Sequence, residues 1–216
     1  MTTPRHHPHG ETLMSHAAGS LDAALSMVLM CHLQFCEKCR AAVRFLEDAG
    51  GFFLETFKAP TGDEDFFRRT MDRFAKVDAR IRGSVLPLPS PDPGTDVLMP
   101  GPLARASGLR RETIPWKKLP HGASRFDLAK PAGSAASSQL VHLEPGAILH
   151  AERHGGQLAL VLWGAYEYDG ELFERGDLHD ISENGFKTFK GVGPEGATFF
   201  TAISPVHQPV IFRTGH

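Results

Sequence analysis

A strong excess of either charge is lacking in this 216-residue chain: 23 Lys and Arg face 25 Asp and Glu, a formal net charge of −2. That balance excludes a protein whose main partner is nucleic acid, because neutralising phosphates needs a basic surface. Cysteine is scarce as well. Three residues are too few for a disulfide framework, and in a reducing compartment they are expected as thiols. No run approaches the 18 apolar residues of a membrane span, so no membrane partner is expected. The opening stretch, MTTPRHHPHGETL, has no apolar run of the signal-peptide kind, and the expectation is a cytoplasmic chain. No Ser-His-Asp order, phosphate-cradling Gly-rich loop or paired acidic motif stands out, which leaves no catalytic residue to name.

Histidine, glycine and proline are plentiful: 12, 22 and 16 residues. Glycine and proline at that level indicate a linker and many turns. Hydrophobic residues at 41% suffice for an ordered core. The chain reads in two halves, residues 1–83 and 108–216, joined by a linker over 84–107.

The first half carries four helical signals. Glu11 to Ala18 is a short one. Ser20 is placed as an N-cap, with Asp22 in the first turn, for a helix through Leu33 whose stripe is Leu21, Leu25, Val28 and His32. A third helix is expected from Cys36 to Ala49, stopped by Gly50-Gly51. Asp63 to Arg82 reads as a fourth, with Phe67, Met71, Phe74 and Ile81 near one face. Five prolines between residues 87 and 100 then forbid helix interiors and central strands, which predicts a semi-extended linker.

Beyond it the period shortens. Ser138–Leu143, Gln157–Trp163, Ala197–Ile203 and Pro209–Phe212 are strand-like runs between turn residues. Gly133 to Ser138 reads as a flexible loop. Tyr166 to Phe173 reads as a hairpin whose Asp169-Gly170 pair suits a type I′ turn. The expectation is an all-β barrel or sandwich.

His32-x3-Cys36-x2-Cys39 places an imidazole and two thiols at the turn between two helices. Zinc takes four N or S ligands in a tetrahedron, and a thiolate is favoured at a helix start. The fourth donor would come from the His-rich beginning: His6, His7 or His9. The alternative is a core histidine beside two small buried cysteines. Cys31, on another face, reads as ordinary packing.

Arg5-His6-His7, Ala17-Ala18-Gly19-Ser20-Leu21 and His32-x3-Cys36-x2-Cys39-Arg40-Ala41 together resemble the zinc-binding anti-sigma domain of the ChrR family. The resemblance covers residues 4–50 by motif and 60–82 by helical pattern. It implies a four-helix domain that sequesters an extracytoplasmic-function sigma factor. It also implies a zinc ion on His7, His32, Cys36 and Cys39, with His7 standing 25 residues before His32 as the family spacing requires.

Members of this type continue into a cupin domain. Val141-His-Leu-Glu-Pro-Gly146, Leu160-Val-Leu-Trp-Gly164 and Gly176-Asp177 resemble the strand and turn order of one. In His150-Ala-Glu152-Arg-His154-Gly-Gly-Gln157, Glu152 stands where the first metal-binding His of a cupin belongs. His154 matches the second, and Gln157 replaces the Glu. The later His position offers Lys187 and Lys190, with His179 too early. Glu152 and His154 therefore make a poor second metal site, and a metal-free barrel with a polar pocket is the competing reading.

Two functions follow. The first is an anti-sigma factor that releases its sigma factor on stress, as the resemblance implies for singlet oxygen or organic hydroperoxide. Zinc completes its small helical domain, worth roughly 10–16 kcal/mol in such units. Leu46, Phe66, Phe67 and Phe74 form the partner surface, or fill the domain's own core. The second is a cupin-type metal-dependent enzyme with a helical docking module.

Overall fold

The computed structural model describes residues 3–57, 64–82, 99–153, 156–181, 185–204 and 212–213. Five helices are seen among them: α1 (Gly10–Ala17), α2 (Ala23–Leu33), α3 (Glu37–Thr56), α4 (Glu64–Arg82) and α5 (Gly101–Ser107). Two compact units emerge, one of residues Met1–Glu47 with Asp96–His216, the other of Asp48–Thr95. Within the first unit, α2 packs on strands that follow residue 108.

Two helix ends and part of the linker depart from expectation. The cap of α2 is Asp22, whose carboxylate accepts from the Ala24 N–H at 2.8 Å, while the Ser20 hydroxyl turns back to the Ser15 carbonyl. The third helix does not stop at Gly50-Gly51 but runs on to Thr56. Each glycine costs only about 1 kcal/mol inside a helix, and no proline interrupts the ladder before Pro60. The expected linker contains α5, with Pro100 as its cap and Pro102 in its first turn. Proline is harmless there, where the N–H has no helical partner. Leu103 of this helix is fully buried, and Gly101 N–H donates to the Gln34 side chain.

Among the described residues nine strands follow: β1 (Lys117–Lys118), β2 (Ala123–Asp127), β3 (Ser137–Leu143), β4 (Ile148–Arg153), β5 (Gln157–Tyr168), β6 (Glu171–Glu174), β7 (Leu178–Ile181), β8 (Gly185–Ile203) and β9 (Phe212–Arg213). All pair antiparallel, in the order β1-β2-β3-β8-β4-β9, with β5 beside β8 and carrying β6 and β7. Among the described residues this sheet is open, not the closed barrel expected. The reason lies in β8, which pairs with β4 through residues 185–190, β5 through 189–203 and β3 through 197–203. Its register with β5 shifts between Val161 and Trp163 and again between Gly164 and Ala165. Such bulges bend a strand pair, so the sheet folds over on itself.

Glycine is obligatory at the bend. Gly164 has φ +72°, and a Cβ there would lie 2.0 Å from the Gly196 carbonyl oxygen. The β5–β6 hairpin has positive φ at both Asp169 (49°) and Gly170 (83°), as a type I′ turn requires. The stretch read as a flexible loop is tied down: Ser134 hydroxyl and the Ala135 and Ala136 N–H groups all donate to Asp22.

β5 is buried on both faces. Leu158, Leu160 and Leu162 share a core with Val28, Leu29 and Cys31 of α2, with Leu103 of α5 and with Phe200 of β8. Ala159 and Val161 face the inside of the folded sheet, among Tyr166, Tyr168, Phe173, Phe189 and Phe199. In the second unit, α4 and the end of α3 expose large side chains: Phe53, Phe66, Phe67 and Phe74 are each more than 60% accessible. No helix among the described residues is long and apolar enough to cross a membrane.

Candidate metal centre

Local sequence builds the centre at the joint between α2 and α3. His32 sits in the last turn of α2 and Cys36 immediately before α3, with Cys39 in its first turn. Arg40 holds the turn closed by donating to the Leu33 and Gln34 carbonyls, groups that a helix end leaves without partners. The Cys39 N–H points at the Cys36 sulfur, 3.4 Å away.

The fourth donor arrives from the N-terminal segment. His7 Nδ1 lies 3.4 Å from Cys36 Sγ and 3.5 Å from Cys39 Sγ, and His32 Nε2 lies 3.4 Å from Cys39 Sγ. One donor atom from each of His7, His32, Cys36 and Cys39 lies within 4.8 Å of every other. A tetrahedral ion with bonds of about 2.0–2.3 Å needs donor–donor edges of about 3.3–3.8 Å. The three separations given above fall in that range, so the chemistry and spacing of this donor set fit a metal ion.

The surroundings suit metal capture. Burial pushes His32 down to about 4. Burial, and then the Lys38 charge, lower His7, so both imidazoles keep a lone pair at neutral pH. Burial pushes the Cys39 thiol up to about 12, helped by the adjacent Cys36. The Cys39 thiol therefore holds its proton until a cation replaces it, and metal uptake releases protons. His32 Nδ1–H donates to the Gly176 carbonyl at 2.8 Å, which fixes the tautomer and leaves Nε2 as the ligand atom.

The competing histidines turn elsewhere. His6 Nδ1 lies 3.1 Å from the Asp177 carboxylate and its ring stacks on Phe173. His9 is exposed and faces Asp180 at 3.4 Å. Cys31 is fully buried in the α2 core, and burial pushes its thiol up to about 12.

The second expected metal site is only partly in view. Glu152 lies on β4, its backbone opposite Phe186, and His154 lies outside the described residues. Gln157 is buried, donating to the Thr201 hydroxyl. His179 stacks on Phe173 and meets the Tyr166 hydroxyl at 3.2 Å. Of the expected partner surface, Phe66, Phe67 and Phe74 stand exposed on α4, while Leu46 is half-buried against its own core.

Sequence reading missed Gly176 and Asp177 as supports of this region. One signal was available: the unbroken run Leu158-Ala-Leu-Val-Leu162 is that of a strand covered on both faces.

No protein-family model matches the chain. It is similar to the anti-sigma-E factor ChrR of Cereibacter sphaeroides, 32% identical over 177 residues, which are 82% of this chain and 78% of that protein. It also resembles a chain in the crystal structure of Rhodobacter sphaeroides SigE in complex with the anti-sigma ChrR. There the TM-score is 0.76 and the identity 27%, covering 94% of this chain and 100% of that one.

Proposed function

This chain belongs to the ChrR family of anti-sigma factors, and from that premise we propose that it sequesters an extracytoplasmic-function sigma factor in the cytoplasm and lets it go under stress. The observation that carries the reading is the four-donor cluster of His7, His32, Cys36 and Cys39. It stands at the head of α3, the helix whose far end presents Phe52 and Phe53 to solvent. The ion we assign is zinc, which prefers a closed tetrahedral N2S2 set. When bound it supplies structure, fastening the N-terminal segment to the α2–α3 turn.

Residues 1–83 hold the determinants of sigma-factor binding in this reading. Single exposed apolar residues are ordinary, but Phe66, Phe67 and Phe74 repeat along one helix, as expected of a surface kept for another protein. Leu46 gives the partner only its half-exposed edge. Residues 108–216 serve regulation, not catalysis. The aromatic filling between the two arms of the folded sheet supports a packed core there. Cys36 and Cys39 are the oxidisable groups of the metal centre and offer a route by which an oxidant could open it.

The test is co-purification of the full chain with extracytoplasmic-function sigma factors from the same genome. A one-to-one complex that blocks transcription in vitro, and dissociates with metal release on peroxide treatment, is the expected result. No complex with any of them removes the proposal. If Glu152→Ala and His154→Ala abolish a measured enzymatic turnover while sigma binding persists, the cupin-enzyme reading takes its place.

A further inference from the structure

The turn between β6 and β7 does more than reverse the chain. Asp177, 2% exposed, closes the turn by accepting from the Glu174 N–H at 2.9 Å. Its other contacts reach the opposite end of the sequence. Oδ1 accepts from the backbone N–H of Arg5 at 2.6 Å and of His6 at 3.1 Å, and Oδ2 faces His6 Nδ1 at 3.1 Å. The Leu178 N–H then donates to the His6 carbonyl. The residue before His7 is thus gripped through its N–H, its carbonyl and its ring.

Gly176 stands on the other side of the centre, its carbonyl accepting from His32. With φ +91°, and Pro4 and Phe35 at 3.2 Å from where a Cβ would be, only glycine lets this backbone come so close. The turn is itself anchored in the sheet, since Gly176 N–H donates to the Val161 carbonyl and Val161 N–H to the Asp177 carbonyl. Val161 lies in the aromatic interior.

We propose that Gly176 and Asp177 are positioning residues of the metal centre: the β6–β7 turn aims His7 and His32 at the ion from outside and so makes the sheet part of the site. The inference rests on the metal reading above. Outer hydrogen-bond partners of this kind orient a ligand ring before the ion arrives, and losing one costs roughly 10–100-fold in metal affinity. Among the described residues the His7 ring makes no hydrogen bond of its own to the sheet. Its placement comes through the backbone that Asp177 holds, which makes Asp177 the residue to test.

The experiment uses full-length protein titrated with cobalt(II), then zinc affinity measured by competition with a chelator. Asp177→Asn keeps size and one acceptor but removes the carboxylate charge. It is expected to bind zinc at least about tenfold more weakly and to shift the cobalt d–d bands, which report ligand geometry. Asp22→Asn, at another tie between helices and sheet, controls for general loosening and is expected to leave affinity and spectrum unchanged. Wild-type affinity and spectrum in Asp177→Asn would overturn the inference while leaving the metal reading intact. Equal changes in both variants would also overturn it, as loss of general stability. A wild-type protein that takes up no cobalt or zinc overturns the metal reading and this inference together.

Discussion

Asp22 caps its own helix and, with the same carboxylate, receives the hydroxyl of Ser134, 112 residues further along the chain. The N–H groups of Ala135 and Ala136 complete the contact, so one side chain fixes both the start of α2 and the approach to β3.

That arrangement makes a pH-dependent contribution to stability. Burial alone would raise the Asp22 carboxyl, but the bonds from Ser134, Ala24, Ala136 and Ala135 outweigh it and hold it at about 2, against an ordinary 3.8. As pH falls the unfolded chain takes up the proton first, so the contribution is complete above about pH 4 and gone below about pH 2. Asp22→Ala is expected to lower stability by about 1–2 kcal/mol at neutral pH. The difference in denaturant midpoint between it and wild type should shrink across that acid window. A difference that stays constant would show that the carboxylate charge plays no part.

Metal stoichiometry separates the donors from their neighbours. One zinc per chain is expected, lost on combining Cys36→Ala with Cys39→Ala, and held much more weakly in His7→Ala. His6→Ala and His9→Ala should each retain one ion, because those rings face Asp177 and Asp180. Elemental analysis after dialysis decides; full zinc in the double cysteine variant would refute the ligand set.

The exposed aromatics predict a separation of binding from folding. Phe66→Ala, Phe67→Ala and Phe74→Ala remove side chains that are each 62% accessible, so melting temperature and zinc content should barely move. At least one should weaken sigma-factor binding by about tenfold or more, the scale of an interface anchor. Calorimetric titration of the three variants measures it, and unchanged affinity in all three would move the partner surface elsewhere.

Gly164→Ala is expected to be severely destabilising. A methyl group would meet the Gly196 carbonyl at 2.0 Å on a residue held at φ +72°, and strain of that kind costs on the order of 3 kcal/mol or more. Gly133→Ala makes a useful comparison, because φ is also positive there but no atom lies within 4 Å. Similar thermal melts for the two would contradict the packed bend.

Local chemistry was legible in the sequence, and distant chemistry was not. His32, Cys36 and Cys39 converge because eight residues of helix–turn–helix bring them together, and spacing alone reveals that. The Asp169-Gly170 turn was readable for the same reason. The continuation of α3 through Gly50-Gly51 was hidden because a glycine pair marks a helix end more often than a helix middle. β8 was visible only over Ala197–Ile203, since Gly191, Gly193, Pro194 and Gly196 punctuate it like a loop. Those residues instead lie in one long strand that bends between three neighbours. The contacts of Asp177 with Arg5 and His6 span more than 170 residues, and no local pattern announces them.

The grip of Asp177 on the backbone of Arg5 and His6 has a consequence in time. His7, His32, Cys36 and Cys39 lie within 33 residues of sequence, so the four donors are synthesised close together. The carboxylate that holds their frame is made 138 residues after Cys39, roughly 7–30 s later at ordinary elongation rates. During that interval the nascent chain carries two thiols and two imidazoles without the turn that aims them. The finished centre, with the sheet behind it, belongs to the completed chain.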